Sequence, residues 1–383
     1  SLRRAMRARA RRRSSERRVP RRSALAIETL EPRILLSADP LAALTDPARS
    51  FIAELPKAEL HVHQIGSATP TTVARLAEQH PGTVPTDPGE LASYFQFRDF
   101  AHFIDVYLSV VDLIRTPEDV RLLTYEVAAE LAGQTVRYAE LTVTPYTSLV
   151  RGLGPEDFVE AIEDARVAAE RDFGLVLRWI FDIPGELGLE AAEGTLKMAL
   201  EHGPASLIGF GLGGPEIGVP RSQFKPYFDA ARAAGLHSVP HAGETTGPQT
   251  IWDALRDLKA ERSGHGTSAP RPPGLLYYLA RHEIPVEVCP TSNLATGAIT
   301  DLATHPIIKM VEAGVRVSIN SDDPPMFATT LNQEYGIAAR LLGLDDIGVG
   351  NLAKSAVRSS FAERPLQERL MAEIDGYLAS AAG

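Results

Sequence analysis

Residues 116–145 read TPEDVRLLTYEVAAELAGQTVRYAELTVTP, a helix running directly into a strand. Thr116 stands at an N-cap position, Pro117 suits the first helical site, and Glu118 and Asp119 place negative charge in the first turn. Gly133 supplies a stop, and the β-rich run Val136–Pro145 follows. The same plan recurs in GPEDFVEAIEDARVAAERDFG between Gly154 and Gly174, ahead of LVLRWIFDIP (Leu175–Pro184). Working outward, strand-like runs stand at Ala58–His63, Leu207–Gly214, His237–Glu244, Arg262–Ser268, Pro285–Asn293 and Val315–Asp323. Eight strand–helix units predict an α/β fold, a (β/α)8 TIM barrel with a helical insertion after the first strand–helix unit and C-terminal helices. An open doubly wound sheet would show a Gly-rich phosphate turn after its first strand, but here that strand ends in HVHQIG. The insertion, Pro85–Ile114, is rich in aromatics (Tyr94, Phe95, Phe97, Phe100, Phe103, Tyr107). It reads as a helical cap with its own small core and as a lid over the barrel mouth, and the two readings are compatible.

The 383 residues include 39 Lys plus Arg and 49 Asp plus Glu, a net charge of −10 that hides a split. Residues 1–22 hold eleven Arg and one Glu, which leaves 28 basic against 48 acidic residues, or −20, for the rest. So acidic a body repels phosphates, and nucleic acid is excluded as its natural partner. Residues 1–48 are expected to form an Arg-rich, disordered arm, with a single barrel domain over 49–383. Within the arm, LEPRILLSADP (Leu30–Pro40) resembles the LEPR-x-LL element near the start of some large bacterial surface proteins. An over-extended start, a disordered tail, attraction to an anionic membrane and a sorting role stay open for it. The single cysteine, Cys289, excludes an internal disulfide and CxxC zinc sites and fits a reducing, cytoplasmic setting. No apolar run reaches about 18 residues, so no membrane span is expected. Nothing in the sequence fixes an oligomeric state.

The unusual polar residues fall at strand ends. The first strand ends in His61-Val62-His63, the fifth in His241-Ala242-Gly243-Glu244, the sixth in Gly264-His265-Gly266 and the eighth in Asp322-Asp323. In a barrel these C-terminal ends open onto one face. Alternation puts His61 and His63 on the same side of their strand. Three neutral imidazoles and one carboxylate suit a borderline divalent ion such as zinc. Each signal alone is ordinary: Asp-Asp-Pro is a common turn, and a histidine near a strand end is often just hydrogen-bonded. Their joint placement is what points to a metal centre.

PKAELHVH, VPHAGE, RSGHG, EVCPTSN and SINSDDP, in this order, resemble the successive motifs of the adenosine deaminase family of metal-dependent amidohydrolases, from about Leu55 to about Phe361. The resemblance implies one zinc ion per chain, held by His61, His63, His241 and Asp322. It implies that Glu244 protonates purine N1, that His265 stands beside the attacking water, that Asp323 meets N7 and that the Gly214 backbone meets N3. The catalytic set is then Glu244, His265 and Asp322, and the substrate-binding set Gly214, Asp323, His63 and Ile65. The chemistry agrees: exchanging a ring amino group for water needs a strong nucleophile at neutral pH and a proton donor facing N1. His265 and Asp322 are both expected to accept the water's proton. A cysteine-based deaminase site cannot be built from one cysteine, and the fourth strand, LIGFGLGG, lacks the lysine of binuclear amidohydrolases.

Adenosine deaminases commonly carry HxHLDG after the first strand, with the acid on the ribose 5′-hydroxyl, whereas this chain reads His61-Val62-His63-Gln64-Ile65-Gly66. Ile65 would repel a bulky or apolar 5′ extension less than a carboxylate would. HxHxxGS followed by Asp99–Leu108 resembles the branch assigned to aminodeoxyfutalosine, a nucleoside of the futalosine route to menaquinone with a benzoate-bearing 5′ arm. Arg98 and Arg115 are candidate partners for that benzoate. The expected partner is a small-molecule adenine nucleoside, leaning to a 5′-substituted one. Adenosine or 2′-deoxyadenosine of purine salvage is the alternative, and a non-catalytic binding or surface module on a deaminase-like barrel is the remote one.

Overall fold

In the computed structural model, residues 46–98, 100–271 and 273–381 are described; the expected arm lies almost wholly outside them. Eight strands follow one another in chain order, each parallel to the next: β1 (Lys57–His63), β2 (Val136–Val143), β3 (Val176–Pro184), β4 (Leu207–Gly213), β5 (His237–Ala242), β6 (Ser263–His265), β7 (Val286–Val288) and β8 (Val317–Ile319). The seam closes just past β8. Val62 bridges Asp322, with Asp322 N donating to His61 O at 3.0 Å and His63 N donating to Asp322 O at 2.9 Å. Leu60 N adds a bond to the Asn320 side chain at 2.9 Å. The architecture is the expected (β/α)8 barrel with C-terminal helices.

The strands are buried nearly end to end because helices cover them outside and side chains fill the barrel inside. The helix Pro117–Gly133 starts as its sequence predicts. Thr116 Oγ1 accepts from Asp119 N at 3.2 Å, and the Asp119 carboxylate accepts from Thr116 N at 2.9 Å. Gly174, at φ +68°, ends the helix Pro155–Phe173 in the left-handed conformation glycine adopts without strain. The C-terminal helix Asp346–Ser359 lies against the seam, and Ser355 Oγ donates to Val317 O.

The insertion forms the helices Pro88–Tyr94 and Phe100–Val111. Phe97 meets Phe103 edge-on at 5.2 Å, and Phe103 stacks at 5.1 Å on Phe327, which follows the eighth strand, so the segment's aromatics are continuous with the main core. Phe103, Ile104, Tyr107 and Leu108 also wall the cavity at the barrel mouth. The segment covers the barrel mouth as expected, but the small core of its own expected for it is absent, because its apolar side chains merge with the main core.

Candidate active site

His61, His63, His241 and Asp322 converge at the C-terminal end of the barrel, each offering one ligand atom, all within 4.8 Å of one another. His61 is aimed by what stands behind it. Its Nδ1 lies 2.6 Å from Glu287 Oε2, which places a proton on Nδ1 and turns Nε2 toward the cluster. That Nε2 is buried and makes no hydrogen bond among the described residues; Asp322 Oδ1 is 3.4 Å away. Glu287 is in turn held by Arg262, which also reaches Glu140, and this fully buried guanidinium packs over the Phe361 ring at 4.3 Å. Gly264 makes room, since a Cβ there would come within 2.8 Å of His61 Cε1.

His63 Nε2 sits 3.2 Å from His241 Nε2 and 3.3 Å from Asp322 Oδ1. Two imidazole nitrogens so close cannot both be charged. Burial pushes His63 down to about 4, and burial with the neighbouring imidazoles holds His241 well below its ordinary value. Burial would raise Asp322, but its bond to His61 and the surrounding imidazoles keep it well below the usual carboxylate range. Ser292 Oγ donates to its Oδ2, turning Oδ1 toward the histidines. Burial works against charge on His61, yet Asp322 and Glu287 raise it to about 10. A divalent cation entering here would displace its proton and meet two neutral imidazoles and an ionised carboxylate, a donor set that fits such an ion.

Around the cluster stand the remaining expected residues. Glu244 Oε1 accepts from Thr296 Oγ1 at 2.8 Å, and Oε2 lies 3.8 Å from His265 Nε2. Burial, then the Asp322 charge, push Glu244 up to about 8, so it is protonated at neutral pH. Its loop is fastened by Glu216, whose carboxylate accepts from Gly243 N at 2.7 Å, Thr245 N at 2.8 Å and Thr246 N at 3.0 Å. Burial and the adjacent Asp322 hold the Asp323 carboxyl well above its usual range, so it too is a donor. Gly66 gives Asp323 its seat, because a Cβ there would fall 1.6 Å from Asp323 Oδ1. Gly214, at φ +79°, lines the cavity beside Glu186.

The proton on His265 is fixed by a chain of three groups. Ile307 N donates to His305 Nδ1 at 3.0 Å, leaving His305 Nε2 to donate to Asn293 Oδ1 at 3.2 Å. The Asn293 amide then donates to His265 Nδ1 at 3.1 Å. Burial holds His265 down to about 3, so the ring is neutral with its hydrogen on Nε2, facing Glu244 and Asp322. In that state His265 is a donor toward the cavity, and Asp322 is the acceptor.

The structure does not bring Ile65 to the cavity wall: its side chain is 7% exposed and belongs to the hydrophobic core. Arg98 and Arg115 are exposed and line no part of the cavity, and Arg115 Nε donates to Asp112 O. The sequence reading missed Glu140, Glu216, Arg262, Glu287, Asn293, Thr296 and His305. Three of these stand inside motifs already singled out, Arg262 in RSGHG and Glu287 and Asn293 in EVCPTSN, and Glu216 lies two residues past Gly214.

A profile described as adenosine deaminase matches residues 56–377. The chain belongs to the adenosine deaminase family. This deaminase is 66% identical over 334 residues to aminodeoxyfutalosine deaminase of Streptomyces avermitilis, covering 86% of the chain and 93% of the relative. It is 65% identical to the protein of that name in Streptomyces coelicolor, covering 86% of each. Among solved structures, adenine deaminase from Arthrobacter aurescens superposes with a TM-score of 0.80 at 30% identity, over 85% of this chain and 99% of that one. The deaminase is a hydrolase acting on C–N bonds, and its substrate is of adenine type. Among the described residues no helix is long and apolar enough to cross a membrane.

Proposed function

We propose that this deaminase is a cytoplasmic enzyme with one zinc ion per chain. It hydrolyses the 6-amino group of an adenine nucleoside extended at its 5′ position, and aminodeoxyfutalosine of the menaquinone route is the favoured substrate. The observation that carries the substrate is the 66% identity to a relative of that name across most of both chains. The chemistry is supported by a protonated Glu244 beside the His/Asp cluster.

His61, His63, His241 and Asp322 would hold the zinc. When bound, such an ion supplies a nucleophile at neutral pH by lowering the pKa of water to about 7. The chain's own groups do the rest. Asp322 accepts a proton from the water that attacks C6, and His265 Nε2–H points a hydrogen bond toward the attacking oxygen. As electrons move from C6 onto N1, Glu244 delivers its proton there, held in aim by Thr296. Asp323, kept neutral, donates to N7, and the Gly214 backbone lies along the N3 side. The proton on Asp322 leaves with the amino group as ammonia, the product keeps a hydrogen on N1, and the remaining water proton restores Glu244.

One observation favours plain adenosine as a second reading: among the described residues no Lys or Arg lines the cavity to meet a benzoate. Turnover of aminodeoxyfutalosine, adenosine, 2′-deoxyadenosine and adenine, measured side by side with zinc content, tests both. A preference for aminodeoxyfutalosine with zinc near one per chain is expected. A preference for adenosine would install the second reading, and a metal-free, inert protein would defeat both.

A further inference from the structure

β7 gives no side chain to the cluster of His61, His63, His241 and Asp322, yet the helix that follows it, Pro290–Ala295, reaches each group given a proton to hold. Ser292 Oγ donates to Asp322 Oδ2, the Asn293 amide donates to His265 Nδ1 at 3.1 Å, and Thr296 Oγ1, at the helix's end, donates to Glu244 Oε1 at 2.8 Å. Two buried groups that line no part of the cavity hold this helix in turn. Glu334 Oε2 accepts from Thr291 N at 3.0 Å, and His305 Nε2 donates to Asn293 Oδ1 at 3.2 Å.

The bond from His305 decides more than position, because its direction is settled outside the site. A backbone N–H can only donate, so Ile307 N, 3.0 Å from His305 Nδ1, leaves that nitrogen without a hydrogen. The one ring hydrogen of His305 is then on Nε2, and Asn293 turns its carbonyl toward it and its amide toward His265. An amide fits its space equally well turned round, so the partner at its oxygen is what distinguishes the two orientations. His305 is 1% exposed and Asn293 0%, so bulk water does not substitute for that partner. With Asn293 reversed, His265 would donate from Nδ1 and present a bare Nε2 to the cavity. That nitrogen, 3.8 Å from Glu244 Oε2, would compete with N1 for the Glu244 proton and would offer the attacking oxygen no hydrogen bond.

We propose that His305 is a positioning residue for deamination: acting through Asn293, it fixes the ring hydrogen of His265 on Nε2 and so keeps His265 a donor. This rests on the role given to His265 beside the attacking oxygen.

The test follows the ring hydrogen itself. Histidine in the zinc-loaded whole chain is isotope-labelled at its ring nitrogens, and nitrogen–proton correlation spectra report which nitrogen is protonated. The His265 signals are those lost in His265→Ala. Wild type is expected to carry the His265 hydrogen on Nε2 alone. Asn293→Asp puts an acceptor where the amide donated, and should bring a hydrogen to Nδ1. It should also lower kcat about 100-fold, the scale of one lost hydrogen bond to developing charge, with KM changed about three-fold or less. His305→Leu should give two ring states of His265 in place of one and lower kcat about ten-fold, the scale of a lost partner behind a site. His305→Gln keeps an N–H at the same place and should restore kcat to within about three-fold of wild type. Turnover is measured on adenosine or aminodeoxyfutalosine, whichever wild type uses faster, with melting temperature and zinc content followed in parallel. A wild-type His265 hydrogen on Nδ1 overturns the proposal without any variant. So does a wild-type kcat in His305→Leu, or a loss that a folded His305→Gln does not recover. If His265→Ala turns over as wild type does, the role given to His265 falls and the proposal with it.

Discussion

The first four strands run for seven, eight, nine and seven residues, and the last four for six, three, three and three. In the long half, β2 pairs with β3 without a break from Tyr138 to Val143. In the short half the backbone turns sharply at or just beyond three of the strand ends, beside the reactive side chains. Gly243 (φ +71°), His265 (+59°), Gly266 (+59°) and Asp322 (+66°) all turn into left-handed backbone there. His265 and Asp322 are not glycines, and such residues hold this conformation only where the surroundings fix it. Even β1 loses register with β2 between Glu59 and Val62, where His61 stands. Long ladders set the barrel's frame; short ones release the backbone so that a side chain can be aimed.

That division can be broken experimentally. His241→Ala or Asp322→Ala removes one of four convergent donors, and turnover should fall by about four orders of magnitude or more with loss of bound zinc. Normal turnover in either variant, with zinc measured by elemental analysis, would dissolve the ligand set. Glu244→Gln should keep zinc but lower kcat by about 10²–10⁴-fold, because the amide cannot protonate N1. The same acid sets a pH dependence. Its folded value, about 8, lies above the ordinary 4.5, so the proton is present through neutrality and lost above it. The kcat/KM profile should therefore decline as pH rises through about 8, and a rate still climbing well beyond that would place the donor elsewhere.

A smaller effect is expected one step behind the cluster. Glu287→Gln leaves His61 in place but weakens its hold on Nδ1–H, and zinc affinity should drop about 10–100-fold in a chelator competition. Ile65 sharpens the contrast further. Had its side chain faced the sugar, Ile65→Asp would improve adenosine use selectively. Buried as it is, the aspartate should instead destabilise the fold by roughly 2 kcal/mol or more, read as a lower melting temperature with all nucleosides affected alike. A selective gain for adenosine would return Ile65 to the cavity.

The eight strands, the capped helix Pro117–Gly133 and the four convergent donor side chains were legible because each is written locally, as periodicity, a cap or a motif at a strand end. The partners behind them were not. Glu287 is 226 positions from His61, and Arg262 is 122 from Glu140. No local pattern pairs residues that far apart. Ile65 was misplaced for the opposite reason: position in a motif suggested a contact that packing does not make.

The bridge between Val62 and Asp322 has a consequence for how the protein comes into being. It joins the first strand to a residue beyond the last, 260 positions later in the chain, and the same two stretches supply three of the four convergent donors. A ribosome that has already released β1 through β7 has therefore made a sheet with two raw edges and no complete metal site. Such a partial sheet is prone to pair with other chains. Closure and completion of the donor cluster arrive together, once the stretch around Asp322 is made, and a cation held there would also clasp the seam.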